Sequence, residues 1–239
     1  MKVEIIPCLE DNYAYLVEAG DDLAVVDPSE AAPVLAALAG RRLTHILNTH
    51  HHWDHVGGNL ALKEKFGAPI VGPAKDAARI PGIDVGVDEK SGWQFAGHAV
   101  QVLEVPGHTR GAIAFVMDGH VFTGDTLFVM GCGRLFEGDA PTMWASLSKL
   151  IMLPDETKIW CGHEYAKSNA RFALSLEPGN QALVQRARNM GPVSVPSKMA
   201  LEKQTNPFLR VAQLRGAFGM DGADDAAVFA EIRRRKDSF

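Results

Sequence analysis

The chain predicts an α+β fold, with stacked sheets flanked by helices and a helical tail behind them. Three observations carry this. Short strand-like runs dominate as far as Cys161, helical periods interrupt them three times, and after His163 strand signals vanish while proline-punctuated helical stretches continue.

Taken in order, Val3–Ile6, Ala14–Val17 and Leu23–Val26 read as strands separated by polar turns. A first helix fits Ala31–Leu38 and is ended by Gly40. Leu43–Leu47 is a strand entering a histidine-rich turn, with a helix over Asn59–Phe66 beyond it. Further strands cover Ile70–Val71, Gln94–Phe95, Val100–Val105, Ile113–Met117 and His120–Phe122. A helix over Met143–Ile151 has Thr142 near its start, and Lys158–Cys161 is the last strand. Helical stretches then follow at Ala166–Leu176, Gln181–Met190, Lys198–Lys203, Val211–Phe218 and Asp225–Arg235. The change of character places a domain boundary near residue 165, separating 1–165 from 166–239.

A chain of 239 residues has room for one large domain or a large and a small one. A net charge of −5 argues against a broad nucleic-acid surface, although Arg233–Lys236 is a local basic exception. No stretch approaches a membrane-spanning length, and the N-terminus opens directly into a strand, so no export signal and no membrane partner are expected. Cys8, Cys132 and Cys161 are odd in number and lack C-x-x-C spacing, which predicts reduced thiols and a cytoplasmic protein. Cys161 is expected to be a small buried group rather than a ligand.

His50, His52, Asp54 and His55 follow H-x-H-x-D-H spacing just past the apolar Ile46-Leu47. Four such side chains within six residues would crowd one ion, but two neighbouring ions can share them. Imidazole with carboxylate suits zinc, iron or manganese better than calcium or copper. A histidine-rich surface loop or a purification tag is the bland reading, but a tag is terminal and uniform, whereas this stretch is internal and contains Asp54. His108 in Pro106–Gly111, Asp125 in Phe122–Leu127 and His163 in Lys158–Glu164 each follow a strand-like run and stand near a glycine. Singly, these would be an ordinary loop histidine or a turn-capping aspartate; together they point to one site. His51, at an x position, should point away from it, and Trp53 is expected to pack beneath the loop. Asp27 either orients a ligating imidazole or stabilises a turn before Pro28.

With its words THHHWDH, PGHTRG, FTGDTLF and CGHEY in that order, the chain resembles the metallo-β-lactamase superfamily. Asp11-Asn12-Tyr13, Gly131–Gly138, Glu177–Asn180, Asn206–Arg210 and the closing Arg233–Phe239 narrow the resemblance to the hydroxyacylglutathione hydrolase (glyoxalase II) family. The resemblance runs from Met1 to Phe239. It implies an αββα sandwich, the metallo-β-lactamase fold, followed by a small all-helical C-terminal domain that binds substrate. It also implies that His50, His52 and His108 hold one divalent ion and that Asp54, His55 and His163 hold a second, with Asp125 bridging. Zinc is the first expectation, iron or manganese the others. The implied reaction cleaves S-(2-hydroxyacyl)glutathione, such as S-D-lactoylglutathione, to glutathione and a 2-hydroxy acid (D-lactate), the second step of methylglyoxal degradation. A hydroxide bridging ions roughly 3.5 Å apart would attack the thioester carbonyl. Asp54 and Asp125 are the implied catalytic carboxylates, Asp54 also accepting a hydrogen bond from the attacking water.

The glutathione thioester is a net anion, and the resemblance assigns its grip to Arg134, Phe136, Tyr165, Arg233 and Lys236. Phe136 stands where some members carry tyrosine. Without the resemblance, Arg233–Lys236 would be the solvated basic end of a helix. The expected partner is a small molecule, and a monomer is expected. Two other readings are a lactonase or phosphodiesterase on the same scaffold, and a non-catalytic metal-binding protein. The latter is disfavoured because structural zinc sites are closed four-ligand cages.

Overall fold

Alternation of large side chains along the strands sets the architecture of the computed structural model, which describes residues 1–239. In β2 (Asn12–Ala19), Tyr13, Tyr15 and Val17 enter one apolar cluster while Ala14 and Leu16 enter another. A strand buried on both faces needs a layer on each side.

The first sheet contains β1 (Lys2–Cys8), β2, β3 (Asp22–Val26), β4 (His45–Leu47), β5 (Ile70–Pro73) and β6 (Val85–Val87), antiparallel as far as β3 and parallel thereafter. The second is ordered β14 (Ser197–Lys198), β13 (Lys158–Cys161), β10 (His120–Gly124), β9 (Ile113–Met117), β8 (His98–Glu104) and β7 (Trp93–Phe95). Between the sheets lie Tyr15, Phe115, Phe122 and Trp160. The Tyr15 hydroxyl donates to the Cys161 carbonyl at 2.5 Å, tying one sheet to the other.

Outside the first sheet, α1 (Ala31–Leu38) and α3 (Asn59–Phe66) bury Val34, Leu38 and Leu62 on Leu16, Val25 and Ile46. Outside the second, α4 (Ala140–Ile151) and α9 (Asp225–Asp237) bury Leu147, Leu150, Phe229 and Ile232 on Leu103, Val121 and Ile159. The result is an αββα sandwich. A helix α2 (Trp53–Val56) and a hairpin of β11 (Leu127–Phe128) and β12 (Gly131–Cys132) sit at one edge. The remaining helices are α5 (Ala166–Leu176), α6 (Gln181–Arg188), α7 (Met199–Thr205) and α8 (Val211–Leu214).

Several elements differ from the sequence expectation. The C-terminal region is helical apart from β14, which pairs antiparallel with β13 and extends the second sheet. Leu43 and Thr44 precede β4, because the Thr44 hydroxyl bonds both backbone groups of Leu23. The stretch expected as one helix over Val211–Phe218 breaks after Leu214 into a 3-10 turn that ends at left-handed Gly219. In α4 the start moves back to Ala140: Asp139 caps it by accepting the Thr142 N–H at 2.9 Å, with Pro141 in the first turn.

The topology gathers the loops that matter. β8, β10 and β13 run in the same direction, since β9 is antiparallel to both β8 and β10, and β10 is parallel to β13. Their C-terminal ends open beside that of β4, where the Thr49 carbonyl accepts the Ile113 N–H at 2.9 Å.

Candidate metal centre

Four strand ends deliver the histidines and aspartates to one place. His50 and His52 leave β4, Asp54 and His55 stand in α2, His108 follows β8, Asp125 follows β10 and His163 follows β13. Donor atoms of His50, His52 and His108 lie within 4.8 Å of one another, as do those of Asp54, His55 and His163. Asp125 stands between the groups, 3.2 Å from His163 Nε2, 3.4 Å from His55 Nε2 and 3.5 Å from His108 Nε2.

Which ring nitrogen faces inward is fixed from behind. His163 Nδ1 meets Asp11 Oδ1 at 2.8 Å, and His108 Nδ1 donates to the Arg134 carbonyl at 2.9 Å. His50 Nδ1 lies 3.0 Å from the Thr49 hydroxyl, and His55 Nδ1 lies 3.1 Å from Asp27 Oδ2. Each of these rings therefore turns Nε2 towards the centre, while His52 presents Nδ1, 3.0 Å from His108 Nε2. Such outer contacts set imidazole orientation and tautomer. Asp27, His50 and His55 also form a close group. Asp27 is already engaged with the Thr49 N–H and hydroxyl and with the far nitrogen of His55, so it supports the ring rather than joining it at an ion. Its backbone takes a left-handed φ of 48° ahead of Pro28, but its carboxylate serves Thr49 and His55 rather than a bond within that turn.

The donor set fits a divalent cation. His50 Nε2, His55 Nε2 and Asp125 Oδ1 are buried without a hydrogen-bonding partner. Orphaned buried polar atoms are costly and rare, and here three belong to one constellation. Burial and neighbouring imidazoles push His50 well below its ordinary range, and burial and His108 bring His52 down to about 4; burial also lowers His108. Burial alone would raise the Asp125 carboxyl, but His55 and His163 hold it well below the usual range. For His55 and His163 burial is outweighed by Asp125, and both are raised. His50, His52 and His108 are thus already in the neutral form that binds metal, and Asp125 in the ionised form, while His55 and His163 would release a proton to an arriving ion. Close approach also explains Gly162, where a Cβ would run into Asp125 Oδ1 and lie 2.6 Å from His55 Cε1.

One wall of this centre opens into a cleft of about 1070 Å³. His52, Asp54, His108, Asp125 and His163 line its floor, and His50 and His55 are buried behind it. Arg134, Phe136, Tyr165, Arg233 and Lys236 line the same cleft. Phe136 lies tilted to edge-on against His108 and His52, and Tyr165 stacks on His163 with ring centroids 4.9 Å apart. Arg233 is buried, donating to the Cys132 carbonyl at 3.1 Å and pairing with Asp237 at 2.8 Å. Lys236 reaches the Ser168 carbonyl and hydroxyl, both at 3.3 Å.

Trp53 corrects the sequence expectation. It does not pack beneath the loop but stands 71% exposed on the cleft, because α2 begins at this residue and turns its ring outward. Sequence reasoning passed over Ser168 and Arg171, which face the cleft from α5, and over Asn12, whose amide donates to the Asp54 carbonyl and carboxylate at 3.0 and 3.1 Å. Asp11 and Asn12 were visible as a motif, but nothing in their spacing announced a role.

Comparison with known proteins places these features in a lineage. The metallo-beta-lactamase superfamily profile matches residues 9–163, and the hydroxyacylglutathione hydrolase C-terminus profile matches 164–239. A hydroxyacylglutathione hydrolase of Rhizobium meliloti is 49% identical over 253 aligned positions, covering 100% of this chain and 99% of that protein. Among solved structures, ETHE1 from Myxococcus xanthus has a TM-score of 0.71 at 27% identity, covering 98% of this chain and 90% of its own. TTHA1623 in a di-iron-bound form has a TM-score of 0.62 at 30% identity, covering 87% of this chain and 100% of its own.

Proposed function

The chain belongs to the hydroxyacylglutathione hydrolases of the metallo-β-lactamase superfamily, and from that premise we propose that it hydrolyses 2-hydroxyacyl thioesters of glutathione, S-D-lactoylglutathione first among them. The observation that carries the reading is a single cleft with a floor of His52, Asp54, His108, Asp125 and His163 and a cationic wall of Arg134, Arg171, Arg233 and Lys236.

In this reading His50, His52 and His108 hold one divalent ion, Asp54, His55 and His163 a second, and Asp125 serves both, with zinc the first choice. Bound ions would supply Lewis acidity at the carbonyl and an acidified water at neutral pH. The chain's own residues do the rest. Asp54, held through Oδ2 by Asn12, orients the attacking water by accepting its proton's hydrogen bond. Asp125 keeps the two imidazole groups in register. The cationic wall receives the glutathione carboxylates, and Tyr165, stacked on His163, forms the side of the cleft between wall and floor. A thiolate leaves readily because its conjugate acid has a pKa of only about 8.5, so no strong general acid is required.

The division of labour follows the chain: residues 1–165 supply the floor, and 166–239 supply Arg171, Arg233 and Lys236. Three free, buried cysteines support a reducing, cytoplasmic setting, and the volume of the cleft suits a small molecule. No helix is long and apolar enough to cross a membrane.

The test is the loss of thioester absorbance on mixing metal-replete protein with S-D-lactoylglutathione, with an acyl-coenzyme A in parallel. Turnover of the glutathione ester alone supports the reading. Turnover of neither overturns the substrate, and lactones and phosphodiesters are then screened.

A further inference from the structure

A second set of charges lies behind the metal-ligating floor. His51 turns its ring away from its two neighbours, and Nδ1 meets Asp76 Oδ2 at 2.9 Å while Nε2 lies 3.8 Å from Glu137. The Asp76 side chain is only 2% exposed and takes Arg79 on its other oxygen at 2.5 Å. Arg79 also clamps Glu137 through both of its terminal nitrogens, and Glu137 accepts the Arg110 N–H at 2.8 Å. Gly111 has no side chain because a Cβ there would collide with the Asp76 carboxylate. The chain of contacts therefore joins three segments: the turn bearing His50 and His52, the loop bearing His108, and the loop whose Arg134 carbonyl fixes the His108 ring.

An aspartate buried to this degree, with one imidazole and one guanidinium as its partners, is expensive unless it holds something in place. What it holds is the residue between two candidate ligands. We propose that Asp76 is a positioning residue for the metal centre: by fixing His51 it sets the backbone between His50 and His52, and so the spacing of those two donors. Asp76 touches neither ion nor substrate, and of its two partners it is His51, rather than Arg79, that passes its effect to the His50–His52 pair. This rests on reading the His50–His52–His108 group as a metal site.

Zinc affinity, measured by competition with a chromophoric chelator, reads this out without any substrate. Asp76→Asn is expected to bind zinc about tenfold more weakly, the lower end of the effect of outer contacts on metal sites. His51→Leu should weaken it as much, and combining the two should add nothing further. His51→Asn should stay close to the parent protein, since its amide nitrogen stands where Nδ1 stood and can still donate to Asp76. If Asp76→Asn fails to fold, the contrast between His51→Leu and His51→Asn carries the test alone. Unchanged zinc affinity in Asp76→Asn or His51→Leu would overturn the proposal, as would multiplying effects in the double variant or an equal loss in His51→Asn. Parent protein that takes up no zinc would overturn the metal reading itself, and the proposal with it.

Discussion

At the scale of single residues, Lys236 is the most informative side chain of the cationic wall. Burial, and then the charges of Arg233, Arg171 and Arg134, push its ammonium down to about 8. It is charged below that value and neutral above it, and only the charged form attracts a substrate carboxylate. KM for the glutathione thioester should therefore rise as pH climbs through about 8, and Lys236→Arg, whose guanidinium stays charged, should flatten the rise in steady-state kinetics. Lys236→Ala should raise KM well before it lowers kcat, because the contact is remote from the scissile bond. Arg233 is a less clean probe, since its removal also strips a donor from the Cys132 carbonyl. The thiols make a separate prediction. All three are buried, and burial raises Cys132 to about 11 and Cys161 to about 12. An alkylating reagent at neutral pH should leave the native protein's mass unchanged and add three labels after denaturation.

At the scale of elements, the β11–β12 hairpin shows how the C-terminal helices shape the cleft. Its turn residue Met130 has a left-handed φ of 55°, and its N–H is taken at 2.8 Å by Glu202 of α7, which is fully buried. Asn206 donates to the Phe128 and Gly131 carbonyls, and Asn169 of α5 to the Val129 carbonyl. Glu202 is itself compensated by Arg186 and Ser197, each at 2.5 Å. Removing that carboxylate leaves the part-buried Arg186 without its counter-charge and the buried Met130 N–H without its acceptor, so Glu202→Ala should cost about 3 kcal/mol in urea unfolding. None of this was legible in the sequence, where Glu202 looks like any charge on a short helix. Other elements were legible to the residue: α1, α3, β9, β13 and α5 have the bounds the sequence predicts. The short ones, β6, β11, β12, β14 and α2, span too few residues for a period to register.

At the scale of the whole molecule, the order of strands and helices suggested stacked sheets flanked by helices, but the detailed αββα sandwich came only from the resemblance. Layer order depends on which faces of β2 and β10 are covered, and hydrophobic residues on both faces read the same from either side. The candidate ligands were legible because four share the H-x-H-x-D-H spacing and His108, Asp125 and His163 each stand beside a glycine just past a strand. Asp11, Asn12 and Asp76 were not, because their partners lie far away in the chain. Metal removal belongs to this scale too. An ion bound only by the folded chain stabilises it by about 2.7 kcal/mol when its free concentration is a hundred times Kd. Chelation should therefore lower Tm and abolish turnover together, and added zinc should restore both.

Asn12 bridges to His163, and the Tyr13 N–H reaches the Gly162 carbonyl at 2.8 Å, so the first strands close against the last ligand-bearing loop. During synthesis at ~5–20 residues per second, the stretch from His50 to His163 takes on the order of 10 s to emerge. Throughout that interval His50, His52, Asp54 and His55 are without His163, and for about its first two thirds without Asp125 as well, so any cation they caught would be held by part of the proposed ligand set. Only when β13 docks does the full proposed set exist, so on that reading the choice of retained metal falls after translation has passed residue 163.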